Sequence, residues 1–260
     1  MGNRKIILMV GGASGIGRVI SDQLAVEGHM VVNADLSHPP SRPDWSGKEG
    51  VIDTRLDVTK AASIETLVSS IAENFGRLDA LVYAAAPSRA ARKPFPENLA
   101  MFRKEIDILL TAAMEMSAAA LPLLRTGHDA AIVFIGSVLS QRIAHETIGY
   151  HAAKAGLAHA ARYLATHLAT HGVRVNLVSP GVIKRHPLPE AGKAPEFNLQ
   201  FETQLRHAVP AGRAGTPVEI ADLVSFLLSS KATYITGQDI VVDGGLIIQE
   251  PFNLLRHSTS

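Results

Sequence analysis

The stretch Lys5-Ile6-Ile7-Leu8-Met9-Val10-Gly11-Gly12-Ala13-Ser14-Gly15-Ile16-Gly17 decides how this chain is read. A short apolar run that ends in glycines and opens a helical pattern predicts a strand, a tight turn and a helix N-terminus. Gly11 permits the turn, Gly15 lets backbone approach a pyrophosphate, and Gly17 allows close helix–strand packing. The helix N-terminus then offers N–H donors to phosphates. A glycine-rich turn alone is a weak signal, but here the strand before it and the helix after it are both present. Eighteen residues beyond Gly17, at the end of the second strand, stands Asp35, where a carboxylate would accept hydrogen bonds from an adenine ribose. Ser14, Ile16 and Leu36 are expected beside the same dinucleotide. A carboxylate suits a free 2′-hydroxyl and repels a 2′-phosphate, so NAD is expected in preference to NADP. Arg18 and Arg42 are the cations that a 2′-phosphate would need, with Asp35 in the way; Arg18 as an exposed first-turn side chain is the plainer reading.

Outward from this segment, strands and helices alternate to the end of the chain. Strands are predicted at Lys5–Val10, Met30–Asp35, Val51–Asp57, Ala80–Ala84, Ala131–Gly136, Arg174–Ser179 and Asp239–Val242. Several are nearly continuous in apolar residues, as strands covered on both faces are. An amphipathic helix carries Ile64, Leu67, Val68, Ile71 and Phe75 on one stripe. Further helices are predicted at Gly15–Glu27, Glu97–Leu124, Gly149–His171 and Pro217–Ser229. The pattern predicts an α/β fold, a single Rossmann-type doubly wound domain over residues 1–260 with about seven parallel strands flanked by helices. His38–Trp45, with three prolines, reads as a surface loop. Lys184–Leu199, rich in Pro, Gly and charge, reads as a mobile flap, and 184–208 as a substrate lid. The tail 246–260, partly apolar, either packs on a neighbouring subunit or frays.

Composition narrows the function. Of 260 residues 47% are hydrophobic, which suits a large core rather than disorder. The net charge of +1 leaves no electrostatic footprint for nucleic acid or an anionic membrane. Without cysteine there are no disulfides, thiolate metal sites or Cys nucleophiles. The charged start at Arg4-Lys5 mimics a signal peptide, but its apolar run is short and leads straight into glycines. No stretch is expected to span a membrane, and a cytoplasmic location is the default expectation.

A second constellation carries the chemistry. In Tyr150-His151-Ala152-Ala153-Lys154 the phenol and the ammonium fall on one helical face. A nearby cation favours phenolate, which would make Tyr150 a better acid–base at neutral pH. Ser137, thirteen residues earlier, follows the fifth strand and could hydrogen-bond a substrate oxygen in the same crevice. Asp57 could meet the adenine edge, though as a helix cap before Lys60 it would look the same.

Together these residues resemble the short-chain dehydrogenase/reductase family. The resemblance rests on Gly11-x3-Gly15-x-Gly17, Asp57, Ser137, Tyr150-x3-Lys154, Asn176 and Pro180-Gly181-Val182-Ile183. Near the C-terminus it rests on Arg213-Ala214-Gly215-Thr216-Pro217-x-Glu219, Ile235-Thr236-Gly237-Gln238 and Asp243-Gly244-Gly245. The resemblance implies hydride transfer at the nicotinamide C4, with Tyr150 as acid–base, Ser137 orienting the substrate oxygen, and Lys154 binding ribose and lowering the tyrosine pKa. It also implies cofactor contacts at Val58, Ala84, Ala85, Pro180, Gly181 and Ile183, and a homotetramer or homodimer paired through helices near 97–124 and 149–171. The chain departs from the family pattern at four places. Asn-Asn-Ala-Gly is replaced by Tyr83-Ala84-Ala85-Ala86, the helix asparagine of the usual tetrad by Leu109, a nicotinamide-contacting threonine by Arg185, and the first threonine of the glycine motif by Val10.

The loops after the fourth to sixth strands are basic: Arg89, Arg92 and Lys93, then Arg142 and His145, then Lys184, Arg185 and His186. With Leu139 they suggest a small-molecule substrate site, one that would suit a carboxylate or phosphate. Glu97, Glu146 and Glu190 lie close enough in sequence to neutralise them. His167 and His171 share a helical face but lack a third ligand, so no metal is expected. Three functions follow: an NAD-linked secondary-alcohol dehydrogenase for a polyol, sugar derivative or hydroxy acid; an acyl-thioester ketoreductase, a class that generally uses NADPH; or a dinucleotide-binding regulatory protein with impaired turnover.

Overall fold

The structure is a computed structural model that describes residues 4–39, 43–45, 50–87, 95–184 and 199–250. Seven strands form one parallel sheet in the order β3-β2-β1-β4-β5-β6-β7. They are β1 (Ile6–Val10), β2 (Met30–Asp35), β3 (Gly50–Arg55), β4 (Ala80–Tyr83), β5 (Ala131–Ile135), β6 (Arg174–Pro180) and β7 (Asp239–Val242). Apolar residues on both sides of each central strand separate into two cores. In β1, Ile6, Leu8 and Val10 join one core while Ile7 and Met9 join the other. This alternation explains the continuous apolar runs, because each face must be covered by helices. Helices α1 (Gly15–Val26) and α7 (Pro217–Leu228) pack on one face; α2 (Ala61–Phe75), α4 (Ala112–Leu124) and α5 (Ile148–Leu168) pack on the other.

Strand boundaries differ by a few residues from those predicted. The third strand begins at Gly50 and ends at Arg55, so Asp57 stands two residues past it rather than closing it. The helix predicted at Glu97–Leu124 is composite. A 3-10 segment (Glu97–Met101) leads into α3 (Phe102–Ile106), a π-helical turn (Asp107–Thr111) and then α4. By length and hydropathy alone the stretch Leu99–Leu124 is apolar enough to cross a bilayer, a test that a core helix also passes. Its inner side, with Ala112, Ala113, Met116 and Ala120, is buried in the protein core. Within the predicted lid, Leu199–Ala208 is a helix, α6, while 185–198 lie outside the described residues. In the tail, Leu246–Ile248 forms a 3-10 turn with Ile247 buried; 251–260 lie outside the described residues.

Strand order reverses at β1, whose neighbours are β2 on one side and β4 on the other. The loops leaving these strands therefore diverge, and a crevice opens above their C-terminal ends, where ligands bind in open α/β sheets.

Candidate active site

The glycine turn is a set of close backbone approaches. Gly11 has φ +87°, and a Cβ there would lie 2.5 Å from the backbone nitrogen of Ala85, in the loop after β4. A Cβ on Gly17 would lie 2.1 Å from the Gly11 carbonyl oxygen, so helix α1 could not sit this close to the turn with a side chain there. Gly12, which sequence reasoning did not single out, faces the Asn33 side chain, with a Cβ placed 1.6 Å from Oδ1. Gly15 is different: φ is +58° and a Cβ would meet nothing within 4 Å. The start of α1 is therefore open beside Gly15, and Ser14 makes no side-chain cap to the helix N–H groups. Uncapped N–H donors beside open space are the chemistry that a pyrophosphate takes up.

Beneath the turn lies a buried polar network. Asn33 donates to the Gly12 carbonyl at 3.1 Å and to Asp53 at 2.6 Å, and Ser21 donates to Asn33 at 3.2 Å. Nε2 of His38 lies 3.4 Å from Asp53. Asp35 accepts from the N–H of Ala13 at 3.2 Å and of Ser37 at 2.8 Å, which ties the end of β2 to the glycine turn. Arg18 is not a free first-turn side chain: it pairs with Asp22 at 2.9 Å and lies 3.8 Å from Asp53. Arg55 donates to the carbonyls of Leu36 and His38. Arg42 lies outside the described residues. Asp57 accepts from the hydroxyl and N–H of Thr59 and pairs with Lys60 at 3.4 Å. The Thr59 hydroxyl, foremost among these, holds the Asp57 carboxyl below the usual carboxylate range. Next to it, Val58 packs on the core.

The chemistry residues converge at the end of β5. Ser137 is extended and its Oγ accepts the N–H of Leu139 at 3.1 Å. Tyr150 stands in the first turn of α5, and Lys154 one turn on, with Nζ 5.7 Å from the Tyr150 ring centroid. The Lys154 ammonium is buried and donates to the Ile135 carbonyl at 2.6 Å. Burial lowers its pKa to about 8, so it stays mostly cationic at neutral pH. Thr147 caps α5 by accepting the Tyr150 N–H at 3.2 Å, and its hydroxyl donates to Glu105 of α3 at 2.5 Å.

At two of the departures from the family pattern, Leu109 and Tyr83, the structure shows what fills the place. Leu109 is fully buried inside the π-helical turn. Tyr83 is also fully buried, and its hydroxyl donates to the Ile108 carbonyl in that same turn at 2.6 Å. A π turn disrupts the regular hydrogen-bond ladder, and the phenol satisfies one of its carbonyls. Burial, with Glu115 nearby, pushes the Tyr83 phenol well above the ordinary tyrosine value. It is therefore a structural donor and not a second acid–base.

On the remaining side, a Cβ on Gly181 would lie 2.6 Å from Cβ of Asp243, so the segment after β6 hugs the strand-end turn. Ile183 bridges to Gly215. Asn176 and Thr236 serve the sheet: the first donates to the Ile235 carbonyl and accepts from Gln238, and the second accepts from Val175. Of the proposed substrate residues, Arg142 donates to the Ile247 carbonyl of the C-terminal turn, and His145 is exposed. Arg89, Arg92, Lys93, Arg185 and His186 lie outside the described residues, as does Glu190. His167 stacks on Tyr163, centroids 3.9 Å apart, with Nδ1 against the Tyr163 carbonyl.

Sequence reasoning missed Glu105 and Thr147. The available signal was an acid on the inward stripe of an apolar helix, four residues before Leu109.

A family described as Enoyl-(Acyl carrier protein) reductase matches residues 11–247. The chain belongs to the short-chain dehydrogenase/reductase family. Among curated relatives, a 3-oxoacyl-(acyl-carrier-protein) reductase FabG of Vibrio cholerae is 34% identical, over 93% of this chain and 97% of the relative. The protein of that name in Escherichia coli K12 matches at the same identity and coverage. Among solved structures, the aldohexose dehydrogenase of Thermoplasma acidophilum superposes with a TM-score of 0.81 at 29% identity, covering 96% of both chains. A dehydrogenase/reductase from Sinorhizobium meliloti 1021 gives 0.79 at 27%, over 94% of this chain and 95% of that one. As a short-chain dehydrogenase/reductase, the chain is an oxidoreductase that uses a nicotinamide cofactor.

Proposed function

We propose that this protein is an NAD-dependent oxidoreductase of small secondary alcohols or ketones, a polyol, sugar derivative or hydroxy acid, with Tyr150 as acid–base. The observation that carries the reading is the buried Lys154 ammonium, held on the Ile135 carbonyl one helical turn from the Tyr150 ring. In the oxidising direction the substrate hydroxyl proton passes to the Tyr150 phenolate as the C–H bond yields hydride. Lys154 stabilises that phenolate electrostatically. Ser137 already accepts from Leu139 on one lone pair, which leaves its own O–H to donate to the substrate oxygen. The nicotinamide, when bound, supplies the hydride acceptor. The groups that would hold it are the backbone of 11–17, Asp35, Leu36, Asp57, Val58, Ala84, Ala85, Tyr150, Lys154, Pro180, Gly181 and Ile183. NAD is favoured because Asp35 closes the ribose end, while Arg18 and Arg55 are engaged by carboxylates and backbone carbonyls. Assembly through the helices near 97–124 and 149–171 into a dimer or tetramer belongs to the same reading.

A second reading, 3-oxoacyl-thioester reduction, is favoured by the relatives that carry that name. One experiment separates them: nicotinamide absorbance is followed with NAD and NADP against polyols, aldohexoses and hydroxy acids, and with NADH and NADPH against acetoacetyl-CoA, with Tyr150→Phe as control. NAD-linked, Tyr150-dependent alcohol oxidation supports the first reading. NADPH-linked thioester reduction replaces it with the second. Binding of NADH without turnover on either panel favours a regulatory protein.

A further inference from the structure

Glu105 has no part in the proton transfer described, yet it is built into the start of the helix that carries Tyr150. It is only 6% exposed. One carboxyl oxygen accepts the Thr147 hydroxyl at 2.5 Å; the other is buried with no hydrogen-bond partner. That second oxygen would lie 2.5 Å from a Cβ on Gly149, and the Phe102 Cα would lie 2.9 Å from it. Gly149 thus lets α3 press directly on the first turn of α5. Thr147 has one hydroxyl hydrogen, and with that hydrogen committed to Glu105 its lone pair is aimed at the Tyr150 N–H. A chain of two hydrogen bonds therefore runs from Glu105 through Thr147 to the backbone of Tyr150. Stability does not account for this arrangement, because an apolar side chain of similar volume is cheaper to bury than a half-satisfied carboxyl group.

We infer that Glu105 is a positioning residue: through Thr147 it fixes the first turn of α5 and thereby the distance of the Tyr150 ring from Lys154. The inference rests on the proposed acid–base role of Tyr150, but its test does not need a substrate. Ionisation of Tyr150 is read from phenolate absorbance, isolated by subtracting the Tyr150→Phe protein. Thr147→Ala removes the tie without changing charge, so the ring drifts from the ammonium and ionisation moves up by about half a pH unit or more. Thr147→Ser restores the wild-type midpoint. Glu105→Ala is compared with Glu105→Gln, which removes the same acid but keeps an oxygen for Thr147. The Ala protein is expected to ionise about half a pH unit above the Gln protein. On any substrate that the enzyme turns over, Thr147→Ala and Glu105→Ala lower kcat about tenfold. The cofactor KM stays within about twofold, and the Ser and Gln variants stay near wild type. A lowered Tm with unmoved Tyr150 ionisation in both comparisons overturns the inference and leaves the contact purely structural. Shifted ionisation in a protein that turns over nothing upholds the inference and removes only the catalytic reading it rests on.

Discussion

The two ends of the crevice are built by different means. At the cofactor end, the closest contacts are backbone against backbone, Gly17 on the Gly11 carbonyl and Gly11 on Ala85, with one side chain, the Asp35 carboxylate, accepting the Ala13 N–H. At the chemical end, the decisive contacts are side chains reaching a distant backbone or another side chain. Lys154 reaches Ile135, Tyr83 reaches Ile108, and Thr147 reaches Glu105, across 19, 25 and 42 residues of chain. Close backbone packing tolerates little substitution, because a single Cβ at Gly11 or Gly17 abolishes it. Long-range side-chain ties can be exchanged for others, and two of the departures from the family pattern, Tyr83 and Leu109, lie there.

The sharpest way to break this contrast is Lys154→Met. Turnover is expected to fall at least about a hundredfold, the range of a lost acid–base partner. Stability is expected to move the other way. The folded-state pKa of about 8 lies below the ordinary lysine value of 10.5, so the unfolded chain binds more protons between those values. The desolvation penalty is therefore fully present below pH 8 and fades as pH rises toward 10.5. At neutral pH the penalty is on the order of 3 kcal/mol, offset in part by the hydrogen bond to Ile135. Melting curves should give the Met protein an unchanged or higher Tm at pH 7, with any advantage shrinking at high pH. A clear loss of Tm at pH 7 would show that Lys154 stabilises the fold.

Gly17→Ala probes the other end. The added methyl meets a backbone carbonyl that cannot swing aside, and destabilisation of about 3 kcal/mol is expected by urea titration. Gly15→Ala should cost only about 1 kcal/mol, from its positive φ. It should weaken NADH binding disproportionately, because the methyl enters the open space at the helix start. Equal stability losses for the two variants would contradict the division of roles assigned here.

Of comparable size is Tyr83→Phe. It leaves the Ile108 carbonyl buried without its donor, at about 1–3 kcal/mol. If kcat also falls, the π-helical turn is coupled to the chemistry. Smallest is Glu219→Gln in the Thr216–Glu219 capping box of α7. The Arg213 guanidinium, first among its partners, holds the Glu219 carboxyl at about 2. Its contribution is therefore present above pH 4.5 and lost as pH falls toward 2. The carboxylate is partly exposed and screened, so less than about 1 kcal/mol is expected at pH 7, with turnover unchanged.

Much of this was legible in the residues. Seven strands and their order along the chain followed from apolar runs and intervening helical stripes, because both signals are local periodicities. Boundaries slipped at β3 and at 97–124, where the 3-10 and π turns carry no periodic signature of their own. Asp57 could be placed but not assigned, since a turn-forming carboxylate and an adenine contact look alike in sequence; the structure shows the turn made with Thr59 and Lys60. Arg142 reads as a free cation among basic loops, and the structure shows it donating to Ile247.

The sequence by itself determined the strand–turn–helix at Gly11–Gly17, the acidic end of β2 and the Tyr150–Lys154 face, because steric limits on backbone and the helical repeat act over a few residues. Only the tertiary structure decided that Lys154 is stripped of water against Ile135, that Tyr83 serves the turn containing Leu109, and that Glu105 grips the start of α5. Burial and hydrogen-bond partnership arise when distant segments exclude water from one another, and no local pattern encodes that.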